Sequence, residues 1–175
     1  MACRMNFHDE CEAALNKQGV AELTNSYVYM SMACYFSRDD VALPGLAAWC
    51  RREADEEVEH AKLCFNLVTE RGGRVQMTTI PAPPKHEWGS PQEAFEAALA
   101  LEKSNNQALI DINALAHKHH DFHMTNYIEE KLLMAQAESL KEVSDLVTQA
   151  KRAGDGLGEY MFDKYVGAEV EAGRS

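Results

Sequence analysis

The chain lacks the features that direct a protein to a membrane or cross-link it covalently. Its first residues, MACRMNFHDECEAAL, contain no basic segment followed by an apolar core, and no apolar run approaches the roughly 20 residues of a membrane span. We therefore expect a cytoplasmic protein without a membrane partner. The five cysteines are odd in number and form no Cys-x-x-Cys pair, which argues against a disulfide framework. Cys34, Cys50 and Cys64 are expected to pack as small buried hydrophobes.

Positive charge is scarce as well. The chain has 17 Lys and Arg against 28 Asp and Glu, which gives a net charge of −11. This balance argues against a nucleic-acid partner and is compatible with either a solvated surface or the attraction of cations. With 175 residues the chain has the size of one domain, so we predict a single domain over 1–175 with a substantial core.

Strand-like alternation is nearly absent, whereas four long segments have helical periodicity. Ser90-Pro91-Gln92-Glu93 begins the third of them with a capping box and a proline at the first helical position. The connector 74–89 contains three prolines and is long enough to run the length of a bundle, so the second and third helices should be parallel. We predict an all-α four-helix bundle with one long crossover. Its parts are an N-terminal extension 1–8, bundle helices 9–37, 44–71, 91–119 and 122–152, and a short fifth helix 157–168.

Polar side chains interrupt or flank the apolar stripe of every predicted bundle helix. In the second helix the motif Glu-x-x-His places Glu57 and His60 on the inward face, and a buried carboxylate needs a compensating cation. The other three helices contribute Glu22, Glu102 and Gln136 at corresponding positions. Three glutamates with a single imidazole form a hard-oxygen set, which suits iron better than the sulfur and nitrogen sites of zinc.

The second half of this predicted metal site is incomplete. The di-iron bundle pattern requires Glu-x-x-His on two helices, but here Asn105 stands three residues after Glu102, and Gln136 is a poor ligand. One metal would be held firmly by the first and second helices, and the other loosely by carboxylates of the second and third. Loose binding favours turnover and release over a permanently resident metal.

Several segments resemble ferritin, specifically the ferroxidase-bearing heavy-chain type. The similarity covers nearly the whole chain and rests on AELTNSYVYMSM, FSRDDVAL, DEEVEHA, ERGGR, LEKSNNQAL and GLGEYMFDKY. The resemblance implies a hollow shell of twenty-four subunits that oxidises ferrous iron with dioxygen, stores it as ferric mineral and uses no organic cofactor. It also implies a di-iron centre within each subunit. Its four ligands would be Glu22, Glu57, His60 and Glu102, with Glu57 bridging the two metals. Tyr29 and Gln136 would surround these ligands.

Two further sites implied by the resemblance depart from the family pattern. The mineral-nucleating face keeps Glu56 and Glu59 but has Lys62 at its third position, which predicts weaker nucleation. The threefold iron channel has Asn126 and Glu129 where the family has an aspartate and a glutamate. The loss of one carboxylate predicts poorer focusing of cations there.

Alternatives remain open at this point. Glu57 and His60 are also explained by a satisfied polar pair on a partly solvated helix face. The turn between the third and fourth helices is either a metal-capture patch or a solvated turn, and its histidines are His117, His119, His120 and His123. The functional alternatives are a light-chain-like subunit that stores mineral without oxidising iron, a di-iron oxygenase for an organic substrate, and a monomeric helical interaction module.

Overall fold

The computed structural model describes residues 3–173, and no β-strand occurs in that part of the chain. Residues 1–2, the start of the predicted extension, and 174–175, the end of the predicted domain, lie outside the described residues. In chain order the helices are α1 (Asp9–Phe36), α2 (Pro44–Glu70), α3 (Pro91–Lys118), α4 (Phe122–Ile128), a π-helical turn (Glu129–Leu133), α5 (Met134–Ala153) and α6 (Leu157–Glu171). Over residues 3–173, none of these helices has both the length and the apolar character needed to cross a membrane.

Local signals explain where the helices begin and end. The Ser90 hydroxyl accepts a hydrogen bond from the Glu93 amide at 3.3 Å, and the Glu93 carboxylate accepts one from the Ser90 amide at 2.8 Å, which confirms the predicted capping box of α3. Proline occupies the first turn of both α2 and α3, where its missing N–H costs no helical hydrogen bond. Gly154, with φ at 62°, ends α5 in a conformation that favours glycine.

The bundle directions follow from contacts between helices. α1 and α2 pack along their length and are joined by the short turn 37–43, so they are antiparallel. α1 and α3 are also antiparallel, because Gln18 contacts Asn105 whereas Tyr29, further along α1, contacts the earlier residue Glu102. α2 and α3 are therefore parallel, as the long crossover predicted.

Apolar clusters fill both ends of the bundle. At one end Trp49, Phe95 and Phe162 meet edge to face, with ring centroids 4.9 and 5.9 Å apart, and they link α2, α3 and α6. At the other end a second cluster is built around Phe7 and Met124. The middle of the bundle lies between these clusters and contains buried polar side chains, which is where the sequence placed its metal site.

The tail helix α6 packs across the start of α2. The buried carboxylate of Asp163 accepts a hydrogen bond from the Leu46 amide at 2.9 Å, so it satisfies one of the free amides at the start of α2. Gly45 permits this approach, because a Cβ atom at that position would lie 1.9 Å from the Asp163 carbonyl oxygen. The tail is thus part of the folded bundle.

The spacing of Leu23, Tyr27, Met30 and Cys34 predicts that they share the core-facing side of α1, and this prediction is wrong. Tyr27 and Met30 of α1 are 46% and 53% exposed, and Cys34 is exposed as well, whereas Cys50 and Cys64 are buried as predicted. α1 has apolar residues on two sides, so their spacing alone did not identify the side that meets the core. The buried residues of α1 that follow Glu22 are Asn25, Ser26, Val28, Tyr29, Met32, Ala33 and Phe36.

The predicted helix boundaries agree with the structure to within one residue except in two places. The predicted helix 122–152 consists of α4 and α5 with the π-helical turn between them. α4, the π-helical turn and α5 follow one another without an intervening loop, so helical periodicity predicted one helix there. The tail helix continues to Glu171, three residues beyond the predicted range 157–168.

Candidate metal centre

Carboxylates from three helices meet in the middle of the bundle. Glu22, Glu57 and Glu102 are 0%, 4% and 3% exposed, and His60 is half-buried. One ligand atom each from Glu22, Glu57 and His60 lie within 4.8 Å of one another, and His60 Nδ1 lies 3.4 Å from Glu57 Oε2. α1 and α2 therefore supply a group of three ligands that can surround one cation. Glu102 is outside this tight group.

Glu102 is held by the two remaining residues of the predicted centre. The Tyr29 hydroxyl donates a hydrogen bond to Oε1 of Glu102. Gln136 donates through Nε2 to Oε2 of the same carboxylate and to the Glu102 carbonyl oxygen at 3.3 Å. Burial and the nearby Glu102 charge raise the pKa of Tyr29 well above its ordinary value, so Tyr29 is a neutral donor. Tyr29 and Gln136 thus orient one carboxylate.

Two further polar residues complete the centre. Gln18 donates to Oε1 of Glu22 at 2.7 Å and to Oδ1 of Asn105 at 2.7 Å. Asn105 in turn donates to Oε2 of Glu22 and to Oε1 of Gln136, both at 3.0 Å. We call Gln18, Asn105 and Gln136 the amide belt. Sequence reasoning noticed Asn105 only as a missing histidine and did not single out Gln18, although Gln18 lies one helical turn before Glu22.

Glu22 and Glu57 have raised pKa values. Burial raises the pKa of Glu57 to about 8, and the neighbouring Glu102 and Glu53 charges add to this effect. Burial and repulsion from Glu57 raise the pKa of Glu22 well above its ordinary value of 4.5. Near neutral pH Glu57 therefore holds a proton that a bound cation would displace.

Comparison with known proteins identifies the family of the chain. A family model described as a ferritin-like domain matches residues 12–153. The soma ferritin of Lymnaea stagnalis is 47% identical over 92% of this chain and 92% of its own length. The ferritin-1 heavy chain of Schistosoma mansoni is 46% identical over 93% of this chain and 94% of its own. The chain belongs to the ferritin family. Members of this family store iron, so iron storage is its function at the level of the family.

An open groove of about 1000 Å³ runs beside the centre of this ferritin chain, between α2, α5 and α6. His60 forms part of its wall, so the three-ligand group lies next to solvent on that side. Arg52 also lines the groove and binds the buried carboxylate of Glu53 at 2.6 Å and Glu142 at 2.6 Å. Burial raises the pKa of Glu53 to about 8 although Arg52 lowers it. Glu53 therefore has a cationic hydrogen-bond partner, Arg52.

The predicted nucleation and channel residues of the ferritin chain lie outside the centre. Glu56 lines the groove, and Glu59 accepts a hydrogen bond from the Lys62 ammonium at 2.6 Å on the exposed side of α2. Lys62 thus partly neutralises the acidic face, in the direction that the sequence predicted. Asn126 is exposed on α4, and Glu129 is exposed at the start of the π-helical turn. Both roles remain predictions.

The histidine turn of the ferritin chain does not bring its four histidines together into one group. Among residues 3–173, only His119 of these four joins a possible metal-binding group, and its companions are His8 and Glu10. His119 Nε2 lies 2.8 Å from a carboxylate oxygen of Glu10, and the His8 and His119 rings stack with centroids 3.6 Å apart. His117 is instead near Glu129, while His123 is near the Arg71 guanidinium. A histidine nitrogen binds a metal in the plane of its ring. Because the stacked His8 and His119 rings are nearly parallel, one ion cannot lie in both ring planes, so the two rings are not arranged to share a metal.

Proposed function

We propose that this ferritin chain oxidises ferrous iron with dioxygen at the buried centre before the iron is stored as ferric mineral. The observation that carries the proposal is the set of three buried carboxylates and one imidazole contributed by three helices. Within residues 3–173, no Lys or Arg forms an ion pair with Glu22, Glu57 or Glu102. These carboxylates therefore need cations to become charged together, and oxygen-rich sets of this kind suit iron.

Each side chain has a distinct part in the proposed reaction. Glu22, Glu57 and His60 would hold one ferrous ion, while Glu57 and Glu102 would hold a second one more loosely. Two ferrous ions supply one electron each, and dioxygen accepts both electrons with two protons as hydrogen peroxide. Tyr29 keeps Glu102 in place, so its role is to orient a ligand. The groove beside His60 offers the ferric product an open path away from the centre.

The proposal extends to the assembly of the chain. We propose that residues 1–175 form a single ferritin-like domain and that twenty-four copies form a hollow shell. The exposed apolar side chains of Tyr27, Met30, Leu157 and Met161 support association, because large apolar groups on a surface mark contact regions. The relative named as a heavy chain supports the oxidising type of subunit. Size-exclusion chromatography with light scattering separates a shell from a monomeric helical module.

The oxidation step is tested by adding ferrous iron without air and then mixing with oxygenated buffer in a stopped-flow instrument. We expect a fast ferric absorbance phase in the wild type that is lost in Glu57→Ala and in His60→Ala. Asp55→Ala is a matched control, because Asp55 is an exposed carboxylate on the same helix. Unchanged oxidation in both centre variants would contradict the proposal. No fast phase in the wild type would indicate a subunit that stores iron without oxidising it.

A further inference from the structure

The amide belt has one hydrogen-bonding direction only. A side-chain amide offers two N–H donors and one acceptor oxygen, and Gln18, Asn105 and Gln136 each use both donors. Turning any one of these amides by 180° would place two donors or two acceptors face to face. The orientation of each amide is therefore determined by its neighbours.

The carboxylates at the two ends of the belt set this direction. Both oxygens of Glu22 accept hydrogen bonds, from Gln18 and Asn105, and Oε2 of Glu102 accepts one from Gln136, so the belt directs nitrogen atoms toward both carboxyl groups. The nitrogen of Gln136 consequently faces Glu102, and its oxygen is held by Asn105 at 3.0 Å. Iron binds amide oxygen in preference to amide nitrogen, which has no free lone pair. In this orientation the Gln136 oxygen is engaged by Asn105 and the nitrogen faces Glu102, which disfavours Gln136 as a ligand.

We propose that Asn105 is a positioning residue that withholds the Gln136 amide oxygen from the second metal position and so keeps metal there loosely bound. This inference rests on the proposed function. Asn105 is 5% exposed, and its amide is committed to Glu22, Gln18 and Gln136. With the Gln136 oxygen withheld, the second position retains the carboxylates of Glu57 and Glu102 alone, and weak retention favours release of the oxidised product.

The test is an anaerobic titration of the assembled, metal-free protein with Co²⁺, followed by calorimetry and by visible absorption. Co²⁺ reports its ligands in its absorption spectrum and is not oxidised in this experiment. Asn105→Leu keeps a similar shape but has no amide, so the Gln136 oxygen loses the hydrogen bond that holds it. The Gln136 side chain can then shift its oxygen toward the metal while its nitrogen keeps the contact with Glu102. We expect the second Co²⁺ to bind about threefold to tenfold more tightly, because the net free energy of one hydrogen bond corresponds to a change in affinity of this size. Asn105→Ala should shift the affinity in the same direction without crowding the site.

A double-mutant cycle identifies the atom responsible. Gln136→Leu combined with Asn105→Leu should abolish the gain in affinity, because the oxygen that would supply it is gone. Asn106→Leu is the matched control: the residue follows Asn105 on α3, is half-buried and lies outside the amide belt. This control should leave both Co²⁺ binding steps unchanged.

The possible failures are distinguishable. If both Asn105 variants bind the second Co²⁺ with wild-type affinity while the first step is intact, the inference is wrong and the proposed function stands. A gain that persists in the double variant also overturns it, because Gln136 would then not be the source. If Glu57→Ala binds as much Co²⁺ as the wild type, the centre is not a metal site. The proposed function then fails, and the inference fails with it.

Discussion

Replacement of Glu57 by glutamine should stabilise the metal-free protein, and the gain should grow with pH. The folded-state pKa of Glu57 is about 8, whereas its ordinary value is 4.5. Between these values the folded chain holds a proton that the unfolded chain has released, so the free energy of unfolding falls as pH rises. The stability that the wild type retains with Glu57 protonated is fully present below pH 4.5 and is lost as pH rises through about 8.

The size of the effect follows from the two pKa values. Each pH unit in this window costs the wild type up to about 1.4 kcal/mol for one such group. Between pH 5.5 and 7.5 the free energy of unfolding of the wild type should therefore fall by about 2.5 kcal/mol more than that of Glu57→Gln. For a chain of this size, that corresponds to a gap in melting temperature that widens by about 5–10 °C.

The assay is differential scanning calorimetry of metal-free protein in buffers from pH 5.5 to 7.5 with a chelator present. Glu56→Gln is the matched control, because Glu56 is the preceding residue and its side chain is 46% exposed. The difference in melting temperature between Glu56→Gln and the wild type should stay constant across this pH range. If the gap between Glu57→Gln and the wild type does not widen with pH, Glu57 is not a buried proton-binding group and the reasoning is refuted.

Three other substitutions test separate parts of the structure. Tyr29→Phe removes the donor to Glu102 and should slow the fast oxidation phase by about tenfold, as measured by stopped flow, while wild-type rates would show that orientation of Glu102 is unimportant. Gly45→Ala should destabilise the fold by about 1–3 kcal/mol in denaturant titrations, because its Cβ would meet the Asp163 carbonyl, and unchanged stability would disprove that close contact. Asn126→Asp should raise the initial rate of iron uptake about twofold to tenfold at low salt and less at high salt, whereas equal rates would show that access there is not limiting.

The proposed ligand set was accessible to sequence reasoning because each of its members occupies an inward position that its own helix encodes. Glu57 and His60 lie three residues apart on one helix, and helical geometry alone brings them to the same face. Each of Glu22, Glu102 and Gln136 likewise occupies an inward position of its own helix, and the structure buries all three. Periodicity records which face of a helix is inward, so it also carries information about polar residues on that face.

The amide belt was not accessible in this way. Gln18 and Asn105 belong to different helices, and each bonds a partner that another helix contributes. An inward asparagine has the same spacing whether it donates to a carboxylate or fills space. Its hydrogen-bonding direction depends on the positions of Glu22 and Gln136 in three dimensions, which no single helix specifies.

The sequence by itself determined the helices, the long crossover and the inward carboxylates, because these depend on neighbours within one or two turns. Only the tertiary structure decided which side of α1 meets the core, that Glu102 is held by Tyr29 and Gln136, and that His119 pairs with Glu10. The physical reason is that these choices depend on contacts between helices. Burial and hydrogen-bond direction are properties of the packed bundle, where one side chain restricts another that lies far away in the chain.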